Sequence, residues 1–327
     1  RDEWIEKLRV HDVPCQPIQT REEFLVSDLA KANSVIGTIK HPELGQLSMP
    51  TQPLELGACP AVMMRPAPRL GAHTDEVGRE QHEPGQGLGQ GGPPLEGIRA
   101  IDLASFIAGP VITRHLAMLG ADVIKVEPEA GDPFRTFSPM FNGWNQGKRG
   151  VVLDLKSEVG REFLHKIVAT SDVVVENFRP GVAERLGCSA EDLRSVNDAL
   201  VLVKSPGYGF DDSRADQPAF DPLLQALGGM MSAQGGDDDP VFLTVPVHDA
   251  ATPIIAAFGA VTALYHRNRE GETQTVYTSL AQTTAAAQAA EFVDYLERPK
   301  VSQGGFDHKG PDTEHRYIED GDKWFWA

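Results

Sequence analysis

A single acid stands at the mouth of a long apolar run in PVHDAATPIIAAFGAVTALYHR, residues 246–267. The run holds no other acid, so Asp249 is either a helix cap or a reactive carboxylate delivered to a pocket by a buried helix. As an N-cap it would contribute roughly 1 kcal/mol to the helix. Thr252 followed by Pro253 is itself a complete helix start, which places Asp249 just outside the helix and without that duty. A carboxylate is a weak nucleophile and becomes useful only when it is ionised, positioned and partly desolvated. The positive end of an apolar helix supplies those conditions, since it favours the anion while apolar flanks exclude water. Oxyanions formed beside it need preorganised donors, for which the pairs Gly228-Gly229 and Gly304-Gly305 are candidates. His248 either tunes Asp249 or packs. The histidines show no metal-ligand spacing, and no metal is expected.

The elements that must position such a site read as alternating strands and helices. Ile98 to Leu103 is a short apolar strand, Ser105 to Pro110 a turn, Val111 to Leu119 a helix and Ala121 to Glu127 a second strand. A second cycle runs through Gly150 to Leu155, Ser157 to Thr170 and Asp172 to Glu176, and Ala199 to Lys204 is a further strand. Right-handed crossovers place such strands side by side, so the fold class is α/β with a Rossmann-like, mostly parallel sheet and flanking helices. Ligands are then expected at the carboxyl ends of the strands. Asn177, Phe178 and Arg179 follow one strand directly, Arg185 lies further on, and Ser205-Pro206-Gly207 follows the next. Such loops suit a phosphorylated, nucleotide-like ligand, because they free backbone N–H groups beside forked arginine donors. They fit a helix cap and surface loops equally well.

Composition bounds the partners. The chain has 327 residues and a formal net charge of −17, which disfavours nucleic acid and anionic membrane surfaces. Three separated cysteines, Cys15, Cys59 and Cys188, imply a reducing compartment, and the protein is expected in the cytoplasm. The run after Asp249 is interrupted by Pro253, Gly259 and Thr262 and is expected to fall short of the ~20 residues of a membrane span. Residues 78–94, GREQHEPGQGLGQGGPP, are poor in large apolar side chains and read as a linker. Within them Gly87-Leu88-Gly89-Gln90-Gly91-Gly92 matches the dinucleotide-binding glycine pattern. It follows no strand and opens no helix, so a nicotinamide-dependent oxidoreductase is disfavoured.

Several ordered segments together carry a resemblance. GIRAIDLASFIAGPVITRHLAMLGADVIKVE at 97–127, Gly131 to Arg135, NQGKRGVVLDLKS at 145–157, SDVVVENFRPGVAERLG at 171–187 and AFDPLLQALGGMMS at 219–232 resemble the family III CoA-transferases. These are the CaiB/BaiF type, relatives of formyl-CoA transferase and the carnitine CoA-transferases. The resemblance implies transfer of coenzyme A from an acyl-CoA thioester to a small carboxylic acid, through an aspartyl-CoA thioester on Asp249. It also puts Asp221 near the active site, Ser105, Phe106 and Ile107 at a turn beside the thioester, and Asn177, Phe178 and Arg185 on the coenzyme. Lys148 and Arg149 fall close to the same channel. Ile107 stands where some transferases carry a polar Gln, which implies a more apolar acyl pocket or a differently held acceptor. Related 2-methylacyl-CoA racemases place a His before the acid that Asp221 matches; here that residue is Phe220.

The N-terminal part, including EWIEKLRVHDVPCQPIQTREEF at 3–24 and RPAPRLGAHTDEV at 65–77, resembles the C-terminal stretch of the same family. A tandem fusion is the simplest explanation, with a permuted order as the alternative. Residues 1–77 then close one unit, residues 78–94 link, and residues 95–327 are the coenzyme-binding large domain of a second unit, ending where a small domain begins. RDEWIEKLRVHD looks like mid-helix sequence and DKWFWA like a strand start, as in a piece of a longer chain. The resemblance implies a homodimer or an intrachain pseudo-dimer, with residues 1–77 docked on the α/β domain. His73 is expected to serve structure rather than catalysis. A non-catalytic coenzyme-binding half of a tandem transferase is the alternative from another functional class.

Overall fold

The computed structural model describes residues 2–11, 16–17, 23, 26–28, 36–50, 65–80, 92–210, 213–291, 300–301, 303–310, 315–321 and 323–326. Two compact units divide the chain: residues 1–36, 225–244 and 290–327 make one, and residues 37–224 and 245–289 the other.

The larger unit is built on six strands, in chain order Arg99–Asp102, Asp122–Glu127, Arg149–Val152, Val173–Glu176, Val201–Lys204 and Thr275–Tyr277. They lie in the order third, second, first, fourth, fifth, sixth, and every neighbouring pair is parallel. The strands are nearly continuous apolar runs because both faces are covered. Ala100, Val123, Val173, Val175, Val201 and Val203 enter one core with Ile112 and Leu116, while Ile101, Ile124, Val174 and Leu202 enter the other with Leu164 and Ile167. The first face is covered by helices Ala108–Met118 and Val247–Glu270, the second by Glu158–Val168 and Ala190–Val196. Ser157 and Ser189 cap these last two, accepting from the backbone N–H groups of Gly160 and Asp192. The sheet is therefore the expected Rossmann-like α/β arrangement, and all of its strands are parallel.

Three details differ from the sequence expectation. The sixth strand, Thr275–Tyr277, was not anticipated: it is three residues long on a sheet edge, too short for periodicity to register. The helix after Pro246 runs unbroken for 24 residues and has Pro253 inside it, so Asp249 lies in its first turn rather than outside it. By length and composition that helix could cross a membrane, which corrects the expected short run; here it buries Ala256, Ala260, Ala263 and Leu264 in the sheet core. Finally, Gly78 and Arg79, assigned to the linker, close the helix Thr74–Arg79. Residues 81–91, with most of the glycine run, lie outside the described residues.

Residues 65–80 pack along the third strand. The His73 and Gly150 backbones bond at 2.9 Å, and the Val152 N–H donates to Thr74 Oγ1 at 3.0 Å. His73 Nδ1 accepts the Gly150 N–H at 3.1 Å, and burial holds this imidazole below its ordinary pKa. This stretch is thus edge cover for the sheet.

In the smaller unit, Gln16–Pro17, Lys323–Trp326 and Tyr317–Asp320 form an antiparallel sheet. Ile5 of the helix Asp2–Val10 packs against Phe325.

Candidate active site

The chain order reverses between the first and fourth strands, and a crevice opens beyond the carboxyl ends at such a switch point. The two loops that leave these strands are clamped together there. Asn177 Oδ1 accepts the Ser105 N–H at 3.1 Å, and Asn177 Nδ2 donates to the Ser105 carbonyl at 2.9 Å. Gly109 permits the approach, since a Cβ there would lie 2.3 Å from Ala104 Cβ and 2.9 Å from Asn177 Cγ. Asn177 thereby sets the shape of the turn.

That turn carries Phe106 at φ 66°, the left-handed region that a bulky residue seldom adopts. Asp132 holds it: Oδ1 accepts the N–H groups of Phe106 at 3.3 Å and Phe134 at 2.9 Å, and the carboxylate pairs with buried Lys125 at 3.0 Å. Phe106 then meets Phe220 edge to face, with ring centroids 5.4 Å apart, and Phe134 at 6.4 Å. Ser105, Phe106, Ile107, Phe178, Phe220 and Asp249 all border one cavity of about 500 Å³.

Asp249 reaches this cavity from the first turn of the long helix. The start of that helix is capped from elsewhere in the chain. Asp221 Oδ2 accepts the N–H of His248 at 2.7 Å and of Asp249 at 3.3 Å, and also meets His248 Nδ1 at 3.2 Å. A distant acid thus does what Thr252 was expected to do. Pro253, lacking an N–H, also leaves the Asp249 carbonyl without its usual partner four residues on. Burial and the adjacent Asp221 carboxylate push the Asp249 carboxyl up to about 7, with His248 opposing. The group is half-buried, poised between acid and anion near neutrality, and beside a cavity.

The other expected site residues divide. Phe178 borders the Asp249 cavity, a second cavity of about 820 Å³ beyond the fourth to sixth strands and a third of about 350 Å³ beyond the first to third. Arg179, read from the sequence as part of a ligand-binding strand-end loop, borders the first two and donates to the Asp216 carbonyl at 2.7 Å. Arg185 is exposed and borders none of the three. Lys148 and Arg149 also lie away from them, contrary to the expected channel position. Lys148 is wholly buried, pairing with Asp102 at 2.8 Å and donating to the Pro110 carbonyl at 2.7 Å. Burial lowers its ammonium to about 8, against the pull of Asp102. Arg149 opens the third strand and binds Asp122, Glu76 and Glu80 at the opposite end of the sheet. Gly304 spends its N–H on the Ala233 carbonyl at 2.6 Å, and Gly229 is the left-handed start of the Met230–Gly235 helix. Ser205, from the second of the strand-end loops read as ligand-binding, and Phe134, given no site role from the sequence, also border the Asp249 cavity.

The chain belongs to CoA-transferase family III, whose sequence profile it matches over residues 1–74 and 95–326. It is 36% identical over 230 residues to the succinate–glutarate CoA-transferase of Agrobacterium fabrum, covering 65% of this chain and 58% of that protein. It is 38% identical over 203 residues to the succinyl-CoA:mesaconate CoA-transferase of Haloarcula hispanica, covering 57% of this chain and 51% of that one. Among solved structures, a CAIB/BAIF family protein from Brucella suis aligns with a TM-score of 0.63 at 29% identity, over 71% of this chain and 65% of its own. The chain spans about half the length of the curated relatives it matches, 58% and 51% for these two.

Proposed function

We propose that the protein transfers coenzyme A from an acyl-CoA thioester to a free carboxylic acid, with Asp249 as the nucleophile. One observation carries this: a half-buried carboxylate in the first turn of an apolar helix, raised to about 7, borders a cavity at the switch point of a parallel sheet. A carboxylate of raised pKa is a stronger nucleophile than an ordinary one and is still ionised in a large fraction near neutral pH.

In the proposed cycle an Asp249 oxygen bonds to the thioester carbonyl carbon. The carbon–sulfur bond breaks, and coenzyme A leaves as the thiolate, giving a mixed anhydride. The thiolate then attacks the Asp249 carboxyl carbon, breaking its bond to the bridging oxygen and releasing the first acid as a carboxylate. An aspartyl-CoA thioester remains. The acceptor carboxylate repeats the two steps in reverse order, and no external oxidant, reductant or net proton is required. Phe178 and Arg179, which border both the Asp249 cavity and the larger one next to it, are positioned to contact the coenzyme arm between them. The working form proposed with this cycle is a homodimer or an intrachain pseudo-dimer, in the cytoplasm.

A racemase needs a second acid–base group on the substrate. His248 is the imidazole beside Asp221, yet it is wholly buried and does not border the cavity. The test of the transfer reading is peptide mass spectrometry of the full-length protein after incubation with acyl-CoA donors and hydroxylamine. A hydroxamate on Asp249 that requires the donor is the expected result. Saturable coenzyme binding with no adduct on Asp249 would instead assign a coenzyme-binding half without catalysis.

A further inference from the structure

Ser205 follows the fifth strand and is 3% exposed. Its N–H donates to the Glu176 carbonyl at 2.9 Å, so the backbone is fixed, and Pro206 restricts it further. Gly207 then runs so close to Ala219 that a Cβ would sit 1.9 Å from Ala219 Cβ. The Ser205 backbone is therefore held, and its buried Oγ has no hydrogen-bond partner among the described residues. A buried hydroxyl left unpaired is a standing cost to the fold. Ser205 also borders the Asp249 cavity.

Most of the other residues that border that cavity are apolar, the exceptions being Ser105, Asn177, Arg179 and Asp249, and its aromatic wall is preformed. Phe106, Phe134 and Phe220 make a contiguous ring wall, and the Asp132 carboxylate that fixes the Phe106 turn is itself pinned by Lys125. Ile107 and Leu280 extend the wall. Arg179 is the one cation among the described residues that border it, and its guanidinium donates to the Asp216 carbonyl. In the transfer reading Arg179 contacts the coenzyme arm, so a second carboxylate on the acyl group would compete with the coenzyme for that donor or lie against ring faces.

We propose that this cavity takes an apolar acyl group, and that the Ser205 hydroxyl donates a hydrogen bond to the oxygen of its reacting carbonyl. This rests on the transfer reading above. As Asp249 attacks, the carbonyl π electrons move to that oxygen, and a fixed donor there stabilises the developing charge. The same contact holds an acceptor carboxylate during the reverse steps.

The test measures the initial rate at which Asp249 is labelled in the full-length protein, using hexanoyl-CoA and succinyl-CoA as separate donors. Hexanoyl-CoA is expected to label at least about tenfold faster, the discrimination a pocket gains when one candidate leaves a charge unpaired. Ser205→Ala is expected to slow labelling by about 10²-fold, the scale of one lost oxyanion donor. Its coenzyme affinity and thermal midpoint should not fall, because the change deletes an unpaired hydroxyl; a merely structural serine would lower the midpoint. Phe220→Arg is expected to raise the rate with succinyl-CoA, a gain that misfolding cannot produce. Equal rates for the two donors, or wild-type labelling by Ser205→Ala, overturn the proposal while leaving transfer intact. Labelling of wild-type Asp249 by no donor overturns both.

Discussion

Two acids at opposite ends of the parallel sheet, Asp122 and Asp249, meet opposite electrostatic surroundings. At the amino ends, Arg99 and Arg149 flank Asp122 and share Glu80, and Glu76 closes the cluster. Burial there works against the Asp122 anion, but the Arg149 hydrogen bond and both guanidiniums hold its carboxyl below the ordinary value. At the carboxyl ends, Asp249 has another acid, Asp221, beside it and is raised to about 7, while Ser205 Oγ has no partner among the described residues. Asp102 ends the first strand at that same side, yet it is wholly buried with Lys148 at 2.8 Å and Lys125 at 4.0 Å. Asp122 and Asp102, which serve folding, are satisfied by their neighbours. Groups reserved for a ligand are left short, and the fold bears the cost.

Changes at four positions test this contrast. The largest effect is expected from Asp249→Asn, which should reduce coenzyme transfer by about 10⁴-fold or more, the scale of losing a nucleophile. Its thermal midpoint should hold or rise, since the amide removes a like-charge contact with Asp221; a steady-state assay and calorimetry on one preparation measure both. A rate near wild type would take Asp249 out of the chemistry.

Lys148→Met comes next, with a loss of about 3–5 kcal/mol in urea unfolding, because it leaves the buried Asp102 carboxylate short of its nearest cation. An unchanged unfolding midpoint would show that Lys125 alone suffices.

Asp221→Ala removes the acceptor for two helix N–H groups and should cost about 2 kcal/mol. Asp221→Asn keeps an acceptor but not the charge, so its signature is in the pH profile. Transfer needs ionised Asp249, so kcat/KM should fall by about tenfold per pH unit below an apparent pKa near 7. The Asp221 charge favours the protonated form of Asp249, and removing it should move this acid limb to lower pH. A limb that stays in place would exclude Asp221 as a cause of the shift.

Glu80→Gln should have the smallest effect, at most about 1 kcal/mol, since this end of the sheet is partly exposed and its pairs are screened. The loss should shrink further in high salt. A larger loss would mean that the amino-end cluster does more than join residues 65–80 to the sheet.

Much of this was legible from residue order. Val173 to Glu176 and Val201 to Lys204 read as buried parallel strands because unbroken apolar runs bounded by turn residues have few other uses. Ser105, Phe106, Ile107, Phe178 and Asp249 were singled out before any geometry, and all border one cavity. Thr275 to Tyr277 escaped because three residues carry no period. Arg149 and Lys148 were misplaced because a basic pair at a strand start looks the same whether it meets a ligand or neighbouring acids. Only the partners Asp122, Glu80 and Asp102, distant in sequence, distinguish the cases.

The sequence by itself determined the parallel α/β sheet, the family and the candidate nucleophile, because hydrophobic period and ordered motifs are local properties of the chain. The tertiary structure decided where the long helix begins, which acid caps it and how far the Asp249 carboxyl is shifted. It also decided that Asn177 clamps a turn and that Ser205 is left unpaired at the cavity. Those outcomes depend on contacts such as Asp221 to His248, 27 residues apart, and Asn177 to Ser105, 72 apart, and burial and hydrogen bonding act through space rather than along the chain.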